Sequence, residues 1–596
     1  MPNGLTRSVV LPWLVATVLS PFLSACNGPP ADPPESESHA PFTLLDSTHA
    51  GLGFSHFNGA SGRLRMAEII GAGAALLDYD NDGDLDVYLV QGNTLTGTPI
   101  GSPGAVPDEA LRGDRLYRND LEVAHDGTRR LRFTDVTSES GIVATGYGMG
   151  VATGDFDNDG WVDLYVTNFG PNQLWRNAGD GTFEDATTSA RVAGDGSWST
   201  SAAFLDFDGD RLPDLYVANY VAERVTEPQR CYARNSAPDY CPPKSYPAQP
   251  NRLYRNLGGR VFSDVTETAG MGSVSGASLG VSVADFDDDG RVDIFVANDG
   301  MDNELWVNKG NGTFGEQALL RGVAVNAAGE KEASMGVTAG DFDGDGDPDL
   351  FMTHLTGETN TLYVNEGGGQ FMDRTITAAI GAPSLPYTGF GTAWLDYDND
   401  GWLDLLVANG AVSLYTHSAI ADGTPLAEPN QLFHARGDGT FEEVSAKGGA
   451  ALQLVEVSRG AAFGDIDNDG DTDVVIANNG GPVRVLLNQT AHGHHWLGLS
   501  LMERQPDRYA MGARVVVELK GSGGHTRELW RLAATDGSYL SANDPRVLVG
   551  LGAASRIERV RVLWPNGDVE QWEDLPVDQY HVLGHGNGKP VGKAER

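Results

Sequence analysis

The nonapeptide D-x-D-x-D-G-x-x-D recurs seven times along a chain of 596 residues. A long-period repeat constrains the fold more than any other feature, because each period must be one supersecondary unit. The copies are DYDNDGDLD at Asp78–Asp86, DFDNDGWVD at Asp155–Asp163, DFDGDRLPD at Asp206–Asp214 and DFDDDGRVD at Asp285–Asp293. DFDGDGDPD at Asp341–Asp349, DYDNDGWLD at Asp396–Asp404 and DIDNDGDTD at Asp465–Asp473 complete the set. Their starts lie 77, 51, 79, 56, 55 and 69 residues apart. Such spacings are too large for one hairpin and suit a four-stranded unit each.

The flanks repeat as well. A small-residue apolar segment such as GMGVATG precedes each loop, and an alternating segment such as DLYVTN or DIFVAN follows it. A third run (QLWRN, RLYRN, ELWVN), a GDGT-type turn and a last run (FTDVT, FSDVT) complete the unit. Short β-branched and aromatic runs separated by Gly, Asn and Asp are strand signals. Glycine, about 13% of the chain, supports many tight turns. Seven four-stranded units predict an all-β, seven-bladed propeller, whose radial closure removes exposed sheet edges.

Each nonapeptide falls between the first and second strands of its blade. Aspartates at positions one, three, five and nine of a tight turn present hard oxygen ligands, the donor type calcium prefers. The candidate ligands are Asp78, Asp80, Asp82 and Asp86; Asp155, Asp157, Asp159 and Asp163; Asp206, Asp208, Asp210 and Asp214; and Asp285, Asp287, Asp289 and Asp293. The last three loops supply Asp341, Asp343, Asp345 and Asp349; Asp396, Asp398, Asp400 and Asp404; and Asp465, Asp467, Asp469 and Asp473. Up to seven structural calcium ions are expected. An EF-hand is not, since the glutamate at position twelve and the flanking helices are missing. The net charge of −41 agrees: the loops hold 32 Asp, and without them the balance is −9. In the third copy Arg211 replaces the glycine of position six. A side chain there is strained where φ must be positive, so this loop is expected to be the weakest site.

These repeats resemble the FG-GAP/VCBS family, best known from the propeller of integrin α subunits, over residues 42–488. The resemblance implies the same propeller with calcium in its loops. Beyond Asn488 the Asp loops stop, and HHWLGLSL, YAMGARVVVEL, TRELWRL and IERVRVLWPNGDVEQWEDLP read as strands of a small β-sandwich or open barrel over 489–590. Gly512-Ala513-Arg514, Ser541–Arg546, Gly550-Leu551-Gly552 and Trp564-Pro565-Asn566-Gly567 resemble the ASPIC/UnbV domain. The two modules in this order are similar to the cartilage acidic protein family, a resemblance that implies no particular activity for the second module.

The apolar run at residues 8–25 follows Arg7 and ends at Leu23-Ser24-Ala25-Cys26, which resembles a bacterial lipobox. The expectation is a lipoprotein signal over 1–26, lipidation at Cys26 and a Pro/Ser/Glu-rich tether over 27–41, with a plain secretory signal as the rival. Membrane association is then by the lipid anchor only, at the outer membrane or cell surface. In an exported chain Cys231 and Cys241 are expected to form a disulfide.

The acidic balance excludes a nucleic-acid partner. His492, His494 and His495 form a cluster that could take a transition metal, but it lies in the connection between modules. Arg436-Gly437-Asp438 spells an integrin-recognised tripeptide, yet ARGDGTF aligns with the repeat's own turn at Arg176–Phe183. No H-E-x-x-H or P-loop is present, and no catalytic residue is assigned. The reading is an exported calcium-binding scaffold for an extracellular protein or glycan; the alternative is a propeller enzyme acting on extracellular polysaccharide, marked by acids, His or Tyr lining its funnel. Strand alternation puts the long insertions, roughly 92–114, 221–250 and 411–429, on the face opposite the Asp loops. The partner is expected on that face, with Tyr220, Tyr232, Tyr240, Tyr246 and Tyr415 as contacts.

Overall fold

A computed structural model describes residues 40–95, 113–224, 229–415, 425–490, 493–504, 508–520 and 526–593. Residues 8–25, Cys26 and the tether up to residue 39 lie outside them, as does His492.

Seven antiparallel four-stranded sheets form the propeller. In blade two the strands are Gly148–Gly154, Asp163–Asn168, Gln173–Asn177 and Phe183–Asp185, paired in chain order from the axis outward. The Asp nonapeptide joins the first two strands, as in every blade. The second strand is buried on both faces because each blade lies between two others. Leu164 and Val166 join a cluster with Leu77 and Tyr88 of blade one, while Tyr165 joins Phe204 and Leu215 of blade three. The period-two alternation of DLYVTN thus distributes side chains between two neighbours.

Blade seven is composite. Its inner strands are Ser458–Gly464, Asp473–Asn478 and Arg484–Asn488, and the outermost is Phe42–Leu44 from the start of the described chain, with Phe42 opposite Asn488. Tying the two ends of the propeller into one sheet means no blade can leave without breaking strand pairs. A ring of asparagines reinforces the closure. Nδ2 of the last residue of the third strand donates to the position-two carbonyl of the preceding blade's Asp loop: Asn177 to Tyr79, Asn256 to Phe156, Asn308 to Phe207 and Asn365 to Phe286. Asn488 reaches Tyr397 and Asn119 reaches Ile466, which closes the circle. Blade six has Ala435 in this place.

The C-terminal module is two β-sheets around a core that includes Leu499, Val517, Val549, Val562 and Trp564. One sheet holds His495–Glu503, paired with Val547–Gly552 and, in parallel, with Tyr580–Gly584. The other is five-stranded, with Thr526–Leu532, Arg514–Lys520, Arg559–Leu563, Asp568–Trp572 and Lys589–Lys593. Its loop at 536–544 enters the propeller axis and bonds to the innermost strand of every blade. Ala542 exchanges backbone bonds with Ala74 and Leu76 of blade one, and the Leu540 carbonyl accepts from Val151 of blade two. Leu540 N–H donates to Ser201 of blade three, and Asp536 accepts from Val283 of blade four. Ser538 meets Val337, Thr392 and Ala461 of blades five, six and seven. The approach is close enough that a Cβ on Gly73 would lie 2.0 Å from the Leu540 carbonyl oxygen, which explains the small residues of the first strands.

Candidate metal centres and the two faces of the propeller

Two residues of each Asp loop adopt left-handed backbone. At position six these are Gly83, Gly160, Gly290, Gly346, Gly401 and Gly470, with Arg211 in the third loop at φ +68°. The third turn therefore keeps the common geometry, and the strain expected from its sequence resides in Arg211. The position-one carboxylate closes the turn: Asp78 Oδ1 accepts from Asp82 N–H and Oδ2 from Gly83 N–H. The position-nine carboxylate ties the hairpin, with Asp86 accepting from Tyr79 N–H and Asn119 N–H. Burial raises the pKa of Asp78, Asp155, Asp285 and Asp341 to about 6, and of Asp214 and Asp293 to about 8.

Carboxylates converge in these turns. Asp78, Asp80 and Asp86 place ligand oxygens within 4.8 Å of one another, as do Asp155, Asp157 and Asp163, Asp206, Asp208 and Asp210, and Asp285, Asp287 and Asp289. Position three carries the decisive feature. Asp80, Asp157, Asp287 and Asp467 each keep Oδ1 buried with no hydrogen-bond donor among the described residues. A buried acceptor without a donor costs free energy, and a hard cation is the partner that fits several at once. The residues present thus suit calcium, which would neutralise the crowded carboxylates.

The loops are not equivalent. Arg176 pairs with Asp157 at 2.5 Å and also with Asp159, and Arg255 pairs with Asp208 at 2.5 Å and Asp210 at 3.2 Å. In blade four Arg321 is 3.1 Å from Asp287, and Arg291 pairs with Asp289. In blade six His434 joins Asp398 and Asp400, and its bond to Asp404 pushes its pKa up to about 9. Asp341, Asp343, Asp345 and Asp349 of blade five, and Asp465, Asp467, Asp469 and Asp473 of blade seven, have no ion-pair partner among the described residues. Sequence reasoning did not use Arg176, Arg255 or His434, although all three stand in one column of the repeat, next to the last residue of the third strand.

The C-terminal module lies on this Asp-loop face. Arg546 donates to the Asp465 carbonyl and to Asn468, and Tyr580 Oη donates to Asp465. Arg527 stacks 4.2 Å from the Trp402 ring centre. In blades one, two, six and seven a position-four asparagine (Asn81, Asn158, Asn399, Asn468) donates to the position-six carbonyl of the next loop. Blade four has Asp288 there, and Arg514 makes the equivalent link by pairing with Asp288 and donating to the Gly346 carbonyl. His494 and His495 do not converge: one meets the Asp398 carbonyl and the other Asp578.

On the opposite face the insertions of blades three and six meet. Cys231 and Cys241 are disulfide-bonded, and Asp239 between them accepts from Ser413 and from Leu414 N–H. Of the five tyrosines expected as contacts, Tyr232 and Tyr415 are 61% and 47% exposed. Of the other three only Tyr220 is overturned as a contact, while Tyr240 and Tyr246 are part-buried. Tyr220 is fully buried and donates to Asp299, and Tyr240 and Tyr246 pack against the apolar cluster closing the channel. That cluster needs large side chains to fill an axis no strand occupies, so it draws in aromatics from the insertions. Arg436-Gly437-Asp438 forms the turn between the outer strands, with Asp438 accepting from Thr440.

A propeller carrying seven Asp loops and capped by a β module is the class these features define. The FG-GAP-like repeat model matches residues 78–166, 155–217, 245–296, 285–352, 341–407 and 418–493, and the chain belongs to that family. The ASPIC and UnbV model matches residues 503–590. The chain is similar to cartilage acidic protein 1 of Homo sapiens, 25% identical over 83% of this chain and 69% of the relative, and of Mus musculus, 26% identical over 83% and 70%. A solved structure of YCF48 bound to a D1 peptide covers 76% of this chain and 98% of its own, at 9% identity and a TM-score of 0.38.

Proposed function

We propose that this protein is an exported, calcium-loaded propeller scaffold that binds a protein or glycan partner through its insertion face. The observation that supports calcium is the buried, donor-free Oδ1 repeated at position three. Asp80, Asp157, Asp287 and Asp467 would ligate directly, with the position-one and position-five carboxylates completing each set. Calcium would supply charge neutralisation and rigidity; the chain's own part is to hold the carboxylates on a glycine-hinged turn.

Binding is favoured over polysaccharide hydrolysis by how the axis is filled. Tyr539 and Leu540 are buried there, and Arg459 is enclosed by the Ile69, Gly410 and Ala411 carbonyls and the Phe390 ring. The Cys231–Cys241 hairpin with exposed Tyr232, beside Tyr415, is the contact surface. The disulfide fits an oxidising compartment, and among the described residues no helix is long and apolar enough to cross a membrane. Lipid attachment at Cys26 is part of the proposal, with lipid labelling of wild type and Cys26→Ser as its measure.

The experiment has two arms. Chelation should lower the melting temperature, with calcium restoring it and magnesium restoring it poorly. Shortening the Cys231–Cys241 hairpin should abolish partner capture and leave calcium-dependent melting unchanged. Melting that ignores chelator refutes calcium; capture that survives the shortening refutes the insertion face.

A further inference from the structure

A cleft of about 320 Å³ opens on the Asp-loop face, between the loops of blades four and five and the five-stranded sheet of the C-terminal module. Its size sits at the small end of ligand sites, enough for one or two small rings. Trp530 forms one wall, flanked by Arg514 and Arg561, each 6.0 Å from the ring centre. Asp345 and Asp347 face them, and Val591, 53% exposed, adds an apolar edge.

The charges in this cleft are unevenly committed. Arg514 is paired with Asp288 at 2.5 Å, and Arg561 with Glu518 and Glu528 at 2.9 and 2.8 Å. Asp347, by contrast, uses only its backbone N–H, toward Asp345, and its carboxylate accepts no hydrogen bond among the described residues. Trp530 likewise makes none through its indole N–H. The cleft therefore offers free acceptors, a free donor and a partly exposed aromatic surface together. An anion would meet Asp345 and Asp347, and a cation would meet Arg514, Arg561 and Lys593, whose ammonium has only Asp568 near it, at 3.8 Å. A neutral ring with adjacent hydroxyls meets neither penalty, because each hydroxyl both donates and accepts and its C–H face can lie on the indole.

We infer that this interdomain cleft is a binding site for a neutral pyranose or furanose unit of a glycan, stacked on Trp530 and hydrogen-bonded by Asp347. The site does not depend on the insertion face and needs both modules, since Asp347 comes from the propeller and Trp530 from the C-terminal sheet. This gives the C-terminal module a role that no single-module reading assigns it.

The test uses the full-length chain in calcium. Glucose, galactose, mannose and xylose are titrated by saturation-transfer NMR and calorimetry, with glucuronic acid and glucosamine as charged counterparts. At least one neutral sugar should bind with Kd on the order of 1 mM. Trp530→Ala should weaken it about tenfold or more, and Trp530→Phe less. Asp347→Asn, at a part-buried position whose carboxylate accepts no hydrogen bond among the described residues, should weaken it several-fold without lowering the melting temperature. The shortened Cys231–Cys241 hairpin should bind the sugar as wild type does, which separates this site from the insertion face. No binding by any neutral sugar, equal binding by Trp530→Ala and Asp347→Asn, or tighter binding of a charged counterpart overturns the inference.

Discussion

Tyr539→Ala tests whether the axial loop joins the two modules into one cooperative unit. Tyr539 is fully buried, its ring centre lies 4.8 Å from that of Phe390, and its hydroxyl donates to the Ile70 carbonyl at 3.2 Å. Truncating a buried aromatic to alanine costs about 3–5 kcal/mol, and removing the hydroxyl alone, as in Tyr539→Phe, about 1 kcal/mol. With an unfolding entropy of about 2 cal/mol/K per residue over some 550 residues, 4 kcal/mol corresponds to ~3–4 °C in Tm. The assay is calorimetry of the calcium-loaded chain, with urea denaturation followed by tryptophan fluorescence. Wild type should unfold in one transition. Tyr539→Ala should lower the midpoint or split the C-terminal module off as an earlier transition, with Tyr539→Phe in between. If wild type already melts in two steps, or Tyr539→Ala costs under about 1 kcal/mol, the loop merely occupies space and the argument for coupling fails.

Arg211→Gly should stabilise the protein by up to about 1 kcal/mol, because relief of a left-handed side chain exceeds the added chain entropy; a lower denaturation midpoint would contradict this. Asn119→Ala should cost about 1–3 kcal/mol, since it leaves the buried Leu85 and Ile466 carbonyls without their donor at the closure of the ring; an unchanged midpoint would show that the asparagine ring is decorative. Asp299 is raised to about 7 by burial, offset in part by the Tyr220 hydroxyl. A raised acid stabilises the fold fully below its unfolded pKa and loses that contribution as pH rises through the folded value. Wild type should therefore gain about 1 kcal/mol on going from about pH 8 to about pH 6, and Asp299→Asn, which keeps an acceptor for Tyr220, should lack this part of the pH response.

The amino-acid sequence by itself determined the blades. Strand alternation, turn glycines and the Asp spacing are local properties, so seven units of four strands and seven carboxylate turns could be read from one chain. Even the asparagine column was visible as RN or VN endings, although its partner, a carbonyl in the preceding blade, was not. What only the tertiary structure decided concerns groups brought together over long distances. Phe42–Leu44 completes blade seven because the ends of the chain meet, and no periodicity marks a strand that pairs more than 400 residues away. The Arg176 and Arg255 pairs depend on the hairpin bringing the third strand beside the loop. Tyr220 looked like a surface residue of an insertion, yet the propeller axis needs bulky apolar matter and buries it. The segment GSYLSANDPRVLVGLG reads in the sequence as an alternating strand, yet only Val547–Gly552 is one, and residues 536–544 form the axial loop. It becomes a core element because seven first strands leave their inner backbone donors and acceptors facing one axis, and an inserted segment of backbone can pair with them there.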